Sequence, residues 1–273
     1  DPKIGIGKTQ SLLNGNDMII EENGDGLHFA VACRIIKEPA SPVIINSHRM
    51  EQKTVKNKFT VLISVVTDRE NKAPVEAARR LLDEAETDGI EQLKADKDNW
   101  YKNFWSNAFM KLGDDYLENI YYLRRYLMAA GSQGEFPVAF NGGLWRWNRD
   151  VMNWVTPHHW NTQQQYWGLC AQNDCQLMAP YLNTYFKMIP SGETLAKEYG
   201  ASDDALLITE AHCFTGEQTG KDREDMRNNF TPASQIASLF WDYYAFTGDK
   251  DFLKSKAYVF MKKAANFYLN KLQ

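Results

Sequence analysis

Strands first, then a helical linker, then antiparallel helical hairpins: this is the multidomain β + α fold that the sequence predicts, and three observations predict it. β-rich runs parted by turn-forming residues fill the first 70 or so positions. The period becomes helical at Pro74. From about residue 115 onward, apolar residues recur at helical spacing between start and stop signals.

The strand-like runs are residues 18–20, 27–33, 43–45 and 59–66, with Asn23, Gly24, Asp25 and Gly26 as one of the turns between them. Four short strands at this spacing suit one sheet of a β-sandwich but are too few to close it. Residues 1–72 are therefore expected to be the C-terminal part of a β-sandwich domain, with an N-terminal portion missing. Pro74, placed near a first helical turn, opens a helix through Leu82, and a second helical run passes Leu93 to reach Trp105. Residues 73–112 form the expected helical linker, their charges a solvated face.

Residues 113–273 read as hairpins. Asp114 and Asp115 can cap a helix carrying Leu117, Ile120, Tyr121, Leu127 and Met128 on one side, with Gly131 placed to end it. Another helix is expected to begin near Asn161 or Thr162 and to bury Tyr166, Leu169, Cys170, Asn173 and Leu177. A third spans residues 181–199, broken or kinked at Pro190. Thr231 and Pro232 supply an N-cap and a first helical residue for Ile236, Leu239, Phe240 and Tyr243. Thr247, Gly248 and Asp249 stop that helix and start the next, whose stripe is Leu253, Ala257, Phe260, Met261, Ala264 and Tyr268. Paired antiparallel helices build an α/α toroid, and equally a helical solenoid. Fewer than half the helices of a closed ring are present, so a ring would be truncated.

Composition narrows the function. With 31 basic against 35 acidic residues and a formal charge of −4, nothing suggests a nucleic-acid partner. No apolar run approaches the roughly 20 residues of a membrane span, so no membrane insertion is expected. Cys33, Cys170, Cys175 and Cys213 show no metal-ligand spacing, and Cys170 and Cys175, five apart on the expected helix, point in different directions. Buried thiols are the expected state, with no metal and no cofactor.

Five tryptophans, Trp145, Trp147, Trp154, Trp160 and Trp167, fall within 23 residues and mix with Asn, His, Arg and Gln without a helical period. Such a stretch suits a sugar-binding cleft, because indole faces stack on apolar sugar faces while amides and guanidinium groups bond hydroxyls. Trp145, Arg146, Trp147 and Asn148 alternate in a glycine-rich loop as candidate substrate-binding residues, joined by His158, Gln164 and His212. Asn161 is either a helix cap or a residue that holds a water. His159 is a hydrogen-bonding partner, a base near neutral pH or a packed core histidine. Glu210, expected with His212 in a loop at the mouth of the helical domain, is the best acid candidate, or else a substrate or structural partner. Asp203 and Asp204 read as turn or cap residues.

Two segments carry a family resemblance. Arg125 to Met128 ends a helix that leads through Phe136-Pro137 to Trp147-Asn148, and after a short loop comes His158-His159-Trp160-Asn161-Thr162-Gln163-Gln164-Gln165-Tyr166-Trp167. This order resembles the "RYLL", "LPANLQGIWN" and "HxNINxQMNYW" elements of glycoside hydrolase family 95, which includes α-L-fucosidases. The stretch from Phe240 to Leu253 is similar to that family's "LWEHYxFTGDxxFL" hairpin. The resemblance implies a β-sandwich followed by the first half of an (α/α)6 barrel, acting as a metal-free inverting glycosidase on a terminal α-linked L-fucose or L-galactose of an oligosaccharide or glycan. It also implies a periplasmic or extracellular setting. In the family, two asparagines of the "NIN" element hold the attacking water; here Asn161 matches the second and His159 replaces the first. The partner Asp and the acid Glu would lie beyond Gln273. The changed element leaves open a phosphorylase or lyase on the same barrel, or a non-catalytic sugar-binding protein.

Overall fold

The computed structural model describes residues 8–24, 27–38, 41–138, 159–213 and 228–271, and the chain divides into two compact units, residues 1–103 and 104–273. In the first unit, β1 (Lys8–Asn14), β2 (Asp17–Gly24), β3 (Leu27–Ile36) and β6 (Thr60–Thr67) form an antiparallel sheet in the order β1-β2-β3-β6. β4 (Val43–Asn46) and β5 (Arg49–Glu51) make a separate hairpin. Each expected strand is present; β1 and β5 are additions. β1 is largely polar and β5 only three residues long, so neither shows a strong apolar run. The β1–β2 turn is two residues long, with Gly15 at φ +62°, the left-handed conformation that a tight hairpin needs.

Both faces of this sheet are apolar. Ile19, Ala30, Ala32, Ile36, Leu62 and Val66 pack against Ala77, Ala78 and Leu82 of helix α1 (Pro74–Asp88). Buried Ser64 donates from Oγ to the Ala78 carbonyl at 2.7 Å, fixing the helix on the sheet. On the opposite face Val61, Ile63 and Val65 are exposed; Ile63 and Val65 stand across from half-buried Cys33 and Val31, and Val61 across from buried Ile35. Buried Asp17 accepts from Arg34 and Arg79. Burial opposes its charge, but the two guanidinium groups outweigh that and lower its pKa.

Helix α2 (Ile90–Ser106) follows α1, and every strand among the described residues ends by Thr67. In the second unit Asp114 caps α3 (Asp115–Gly131) by accepting from the Tyr116 and Leu117 backbone N–H groups. The expected apolar stripe of α3 needs correction: Leu117 and Ile120 are exposed, and the buried face carries Arg125, Met128 and Ala129. The reason is the arginine. Its guanidinium makes a two-pronged pair with fully buried Asp174, both bonds 2.8 Å, donates to the Ala108 carbonyl and lies 4.6 Å from the centre of the Phe104 ring. A charge at the core turns the helix to suit itself.

α4 (His159–Tyr166) begins two residues earlier than expected, so Asn161 lies inside its first turn and is not its cap. The helix ends at Tyr166, and Gly168 and Asn173, both with positive φ, fold the next residues into turns. This overturns the expected burial of Asn173, which is exposed, and the expected thiols: Cys170 and Cys175 form a disulfide, their Cα atoms 4.3 Å apart. The helical spacing that would have kept them apart does not reach them.

A 3₁₀ turn (Cys175–Met178) leads into α5 (Ala179–Lys187), and α6 (Ile189–Glu198) follows after a break at Met188, with Pro190 in its first turn. Residues 205–209 are irregular and fully buried. They lie so close to α6 that a Cβ on Gly192 would stand 2.3 Å from Leu206 Cδ1 and 2.8 Å from the Leu207 carbonyl oxygen. The leucine end can move but the backbone cannot. Gly192→Ala is expected to destabilise this unit by at least about 1 kcal/mol despite the better helix propensity of alanine; urea unfolding checks it, and a more stable variant would contradict the close approach.

α7 (Pro232–Thr247) starts after Thr231, whose hydroxyl bonds Asn229 Oδ1 at 2.7 Å and does not cap the helix. Gly248 in the left-handed region ends α7, and Asp249 caps the next turn by accepting from the Phe252 N–H. A short helical turn (Lys250–Phe252) and a π turn (Leu253–Ala257) then run into α8 (Tyr258–Lys271). Phe240 lies stacked between Phe252 and Phe260, with ring centroids 5.8 and 4.6 Å away. Phe260 and Ala264 of α8 and Ala257 of the π turn are buried as expected, and Phe267 in addition.

Candidate functional site

Helix α4 has two unlike faces. His159, Thr162, Gln163 and Tyr166 are buried, whereas Trp160, Asn161 and Gln164 are exposed, as is Trp167 just past its end. These sets are the opposite sides expected of 3.6 residues per turn. His159 and Asn161 thus point apart, so the water-holding pair expected from the sequence is not assembled from these two side chains.

His159 is held within the protein at 1% exposure. Its Nε2 lies 2.8 Å from Gln235 Oε1 on α7, and the same oxygen accepts from Gln163 Nε2 at 2.8 Å. A carbonyl oxygen only accepts, so Nε2 carries the proton and Nδ1 is left a bare acceptor with no partner among the described residues. Burial pushes the imidazole pKa down to about 4, with the Gln235 bond working the other way. A group that is neutral from pH 5 upward and turned inward is a poor general base at neutral pH, and its place is structural: it fastens α4 to α7.

Glu210 joins the same two helices at their N-terminal ends. Its backbone carbonyl accepts from the His159 N–H at 2.9 Å, and its Oε1 accepts from the Trp160 N–H at 2.8 Å. Asn229, just before α7, donates to Oε2 at 3.4 Å. Glu210 therefore satisfies donors that a helix start leaves open. It is half-buried, and burial raises its pKa against the opposing pull of the Trp160 N–H. A carboxyl with a raised pKa suits proton donation.

His212 does not project into a loop. It is fully buried, with Nε2 3.1 Å from the Tyr185 hydroxyl and Nδ1 3.2 Å from the Thr209 carbonyl. Both nitrogens face protein partners and the ring is shut off from solvent, which corrects its expected binding role. Gln164 is exposed on α4 as that role requires. Trp145, Arg146, Trp147, Asn148 and His158 lie outside the described residues. Asp204 pairs with Lys262 and Lys263, which hold its carboxyl down at about 2, in keeping with a turn residue.

Sequence reasoning missed Gln235, Asn229 and Arg124. Arg124 donates from Nη2 to the Gln165 and Trp167 carbonyls at 2.9 and 2.7 Å, closing the C-terminal end of α4. The sequence offered one usable signal, a glutamine beside Ile236 one turn into an apolar helix.

The family model of the glycosyl hydrolase family 95 catalytic domain matches residues 67–273, which include every residue of this constellation. The chain belongs to glycosyl hydrolase family 95. Alpha-L-fucosidase 2 of Arabidopsis thaliana is 27% identical to this family 95 chain over 160 residues, 56% of the chain and 18% of that protein's length. The fold is also similar to that of a putative kojibiose phosphorylase from human microbiome, with a TM-score of 0.70 at 12% identity, covering 97% of this chain and 36% of the other. The chain thus spans about a fifth and about a third of the lengths of these two proteins. At that identity the second likeness speaks for the fold, an antiparallel sheet followed by helices.

Proposed function

We propose that the protein containing this chain is a glycoside hydrolase that removes a terminal α-linked sugar of L-fucose or L-galactose type from an oligosaccharide or glycan by inversion, without a metal. The observation that carries this reading is family 95 membership over a stretch that presents Asn161, the match to a water-holding asparagine, on the exposed first turn of α4, where the preceding residue, Trp160, gives its N–H to the Glu210 carboxyl. The amide of Asn161 can both donate to and accept from a water. Its partner Asp and the general acid are placed beyond Gln273, with Glu210 setting the start of α4 and standing as the acid candidate within the chain. Inversion requires two carboxyl groups roughly 6.5–9.5 Å apart with room for that water. Trp145, Arg146, Trp147, Asn148, His158 and Gln164 are assigned to substrate binding.

The same reading covers the architecture. Residues 1–72 belong to a β-sandwich whose second sheet covers Val61, Ile63 and Val65, since an apolar sheet face of this kind is normally buried. Residues 73–112 are the linker and residues 113–273 the first half of an (α/α)6 barrel. The Cys170–Cys175 bridge suits an oxidising compartment.

Asn161→Ala in the full-length protein is expected to lower kcat by roughly 10²-fold with KM little changed, because misplacing a nucleophile acts on the transition state. Near-normal turnover by the folded variant would remove Asn161 from the mechanism. Following the anomeric configuration of the first-formed sugar by NMR tests inversion. Turnover that depends on inorganic phosphate would instead make the protein a phosphorylase.

A further inference from the structure

The exposed face of α4 holds more than Asn161. Trp160 is 48% exposed and Trp167 45%, and their rings meet edge to face with centroids 5.7 Å apart and planes at 89°. Gln164 lies one turn after Trp160 on the same exposed side of the helix, Asn161 follows Trp160 directly, and Trp167 comes just past the helix end, so the two indoles and two amides share one exposed surface. Tryptophan is seldom left this open to water, and two in contact form an apolar corner rimmed by amides.

Both indoles hang from fixed backbone. Glu210 takes the Trp160 N–H at 2.8 Å, and Arg124 Nη2 gives to the Trp167 carbonyl at 2.7 Å. Burial opposes the charge of Arg124, lowering its pKa, and is the cost of placing the guanidinium against these carbonyls. Each end of the helix is thus tied by a charged side chain at the residue that bears an indole. Side chains held in place before a ligand arrives lose less entropy when it binds.

We infer that Trp160 and Trp167 form a stacking corner for one pyranose ring, whose hydroxyl edge is read by Gln164 while its apolar face lies on an indole. The ring is the sugar unit bound next to the water-holding Asn161. The inference rests on the proposed carbohydrate activity, because the family match supplies the class of ligand. A sugar fits this corner better than an apolar ligand does. One face of a pyranose is C–H and its rim is hydroxyl, matching indole beside amide.

The test uses the full-length protein with L-fucose and an α-L-fucosyl oligosaccharide as probes, followed by calorimetry and by hydrolysis kinetics. Trp160→Ala and Trp167→Ala are each expected to weaken binding and raise KM by roughly tenfold with kcat changed far less, and Trp167→Phe to restore most of the loss. Unchanged circular dichroism and melting temperature establish that the variants fold. Should Trp160→Ala unfold, Trp167→Ala and Trp167→Phe decide alone, since Trp167 lies past the helix end. Unaltered KM and affinity in folded Trp167→Ala would overturn the corner while leaving hydrolysis standing. Binding that falls as expected in a protein with no hydrolytic turnover would uphold the corner and sink the activity. Absence of binding of either probe to the wild type, or a Trp167→Ala variant that loses only self-association, would overturn the corner.

Discussion

Asp174→Ala is expected to cost the helical unit about 3–5 kcal/mol, a large share of the stability of an ordinary domain, because it leaves Arg125 charged and buried with no countercharge. The aspartate holds the guanidinium by two bonds and also accepts from Gln172 Nε2 at 2.8 Å. It sits between Cys170 and Cys175, so one carboxylate ties α3 to the bridged loop. Replacing both partners with apolar residues, Arg125→Met with Asp174→Leu, should cost far less than the single change, since neither charge is then stranded. Urea unfolding of the two single variants and the double one measures the coupling; additive losses would show that the pair is not the source.

Lowering the pH should loosen the same unit through His159. Its pKa in the folded protein, about 4, lies below the ordinary 6.5, so the unfolded chain takes up a proton that the folded one refuses. The resulting stability is fully present above pH 6.5 and is lost as the pH falls toward 4, about 3 kcal/mol in all. Carboxylates titrate in the same range, and the comparison that isolates the histidine is with His159→Gln, which keeps a donor for Gln235 Oε1 but does not titrate. Between pH 7 and 4.5 the wild type should lose about 2.5 kcal/mol more than the variant. Parallel pH curves would mean that the imidazole is not withheld from protons in this way.

Much of the fold was legible because its signals are local. Asp114 and Asp249 cap helices, Pro74 and Pro232 open them, and Gly248 ends one, each acting within a turn of its own position. What was hidden depends on contacts far along the chain. Arg125 reads as a surface charge until Asp174, 49 residues away, is set beside it. Helical periodicity alone carries α4 past Tyr166 and hides the disulfide, because it does not show that Gly168 and Asn173 take positive φ and fold the loop. At the site, the sequence singled out residues 158–167 but could not say which side of α4 is buried, since that side is set by Gln235 and Glu210, 76 and 50 residues further along the chain from the groups they hold. The Gln235 contact decides between His159 as a reactive group and His159 as a fastening.

The π turn at Leu253–Ala257 carries one residue more than a regular helix would over the same path. Phe252 and Phe260 are eight residues apart, roughly 800° around an unbroken helix, which would leave the two rings about 80° out of line. Counting the surplus residue out brings them to about 700°, near enough to one side to clasp Phe240 between them. In an alignment of related chains this surplus would appear as a single-residue gap within an otherwise continuous helix. Chains that share the gap with this one can keep the triple ring stack, while chains on the other side of it must fill the space around the Phe240 position by different means.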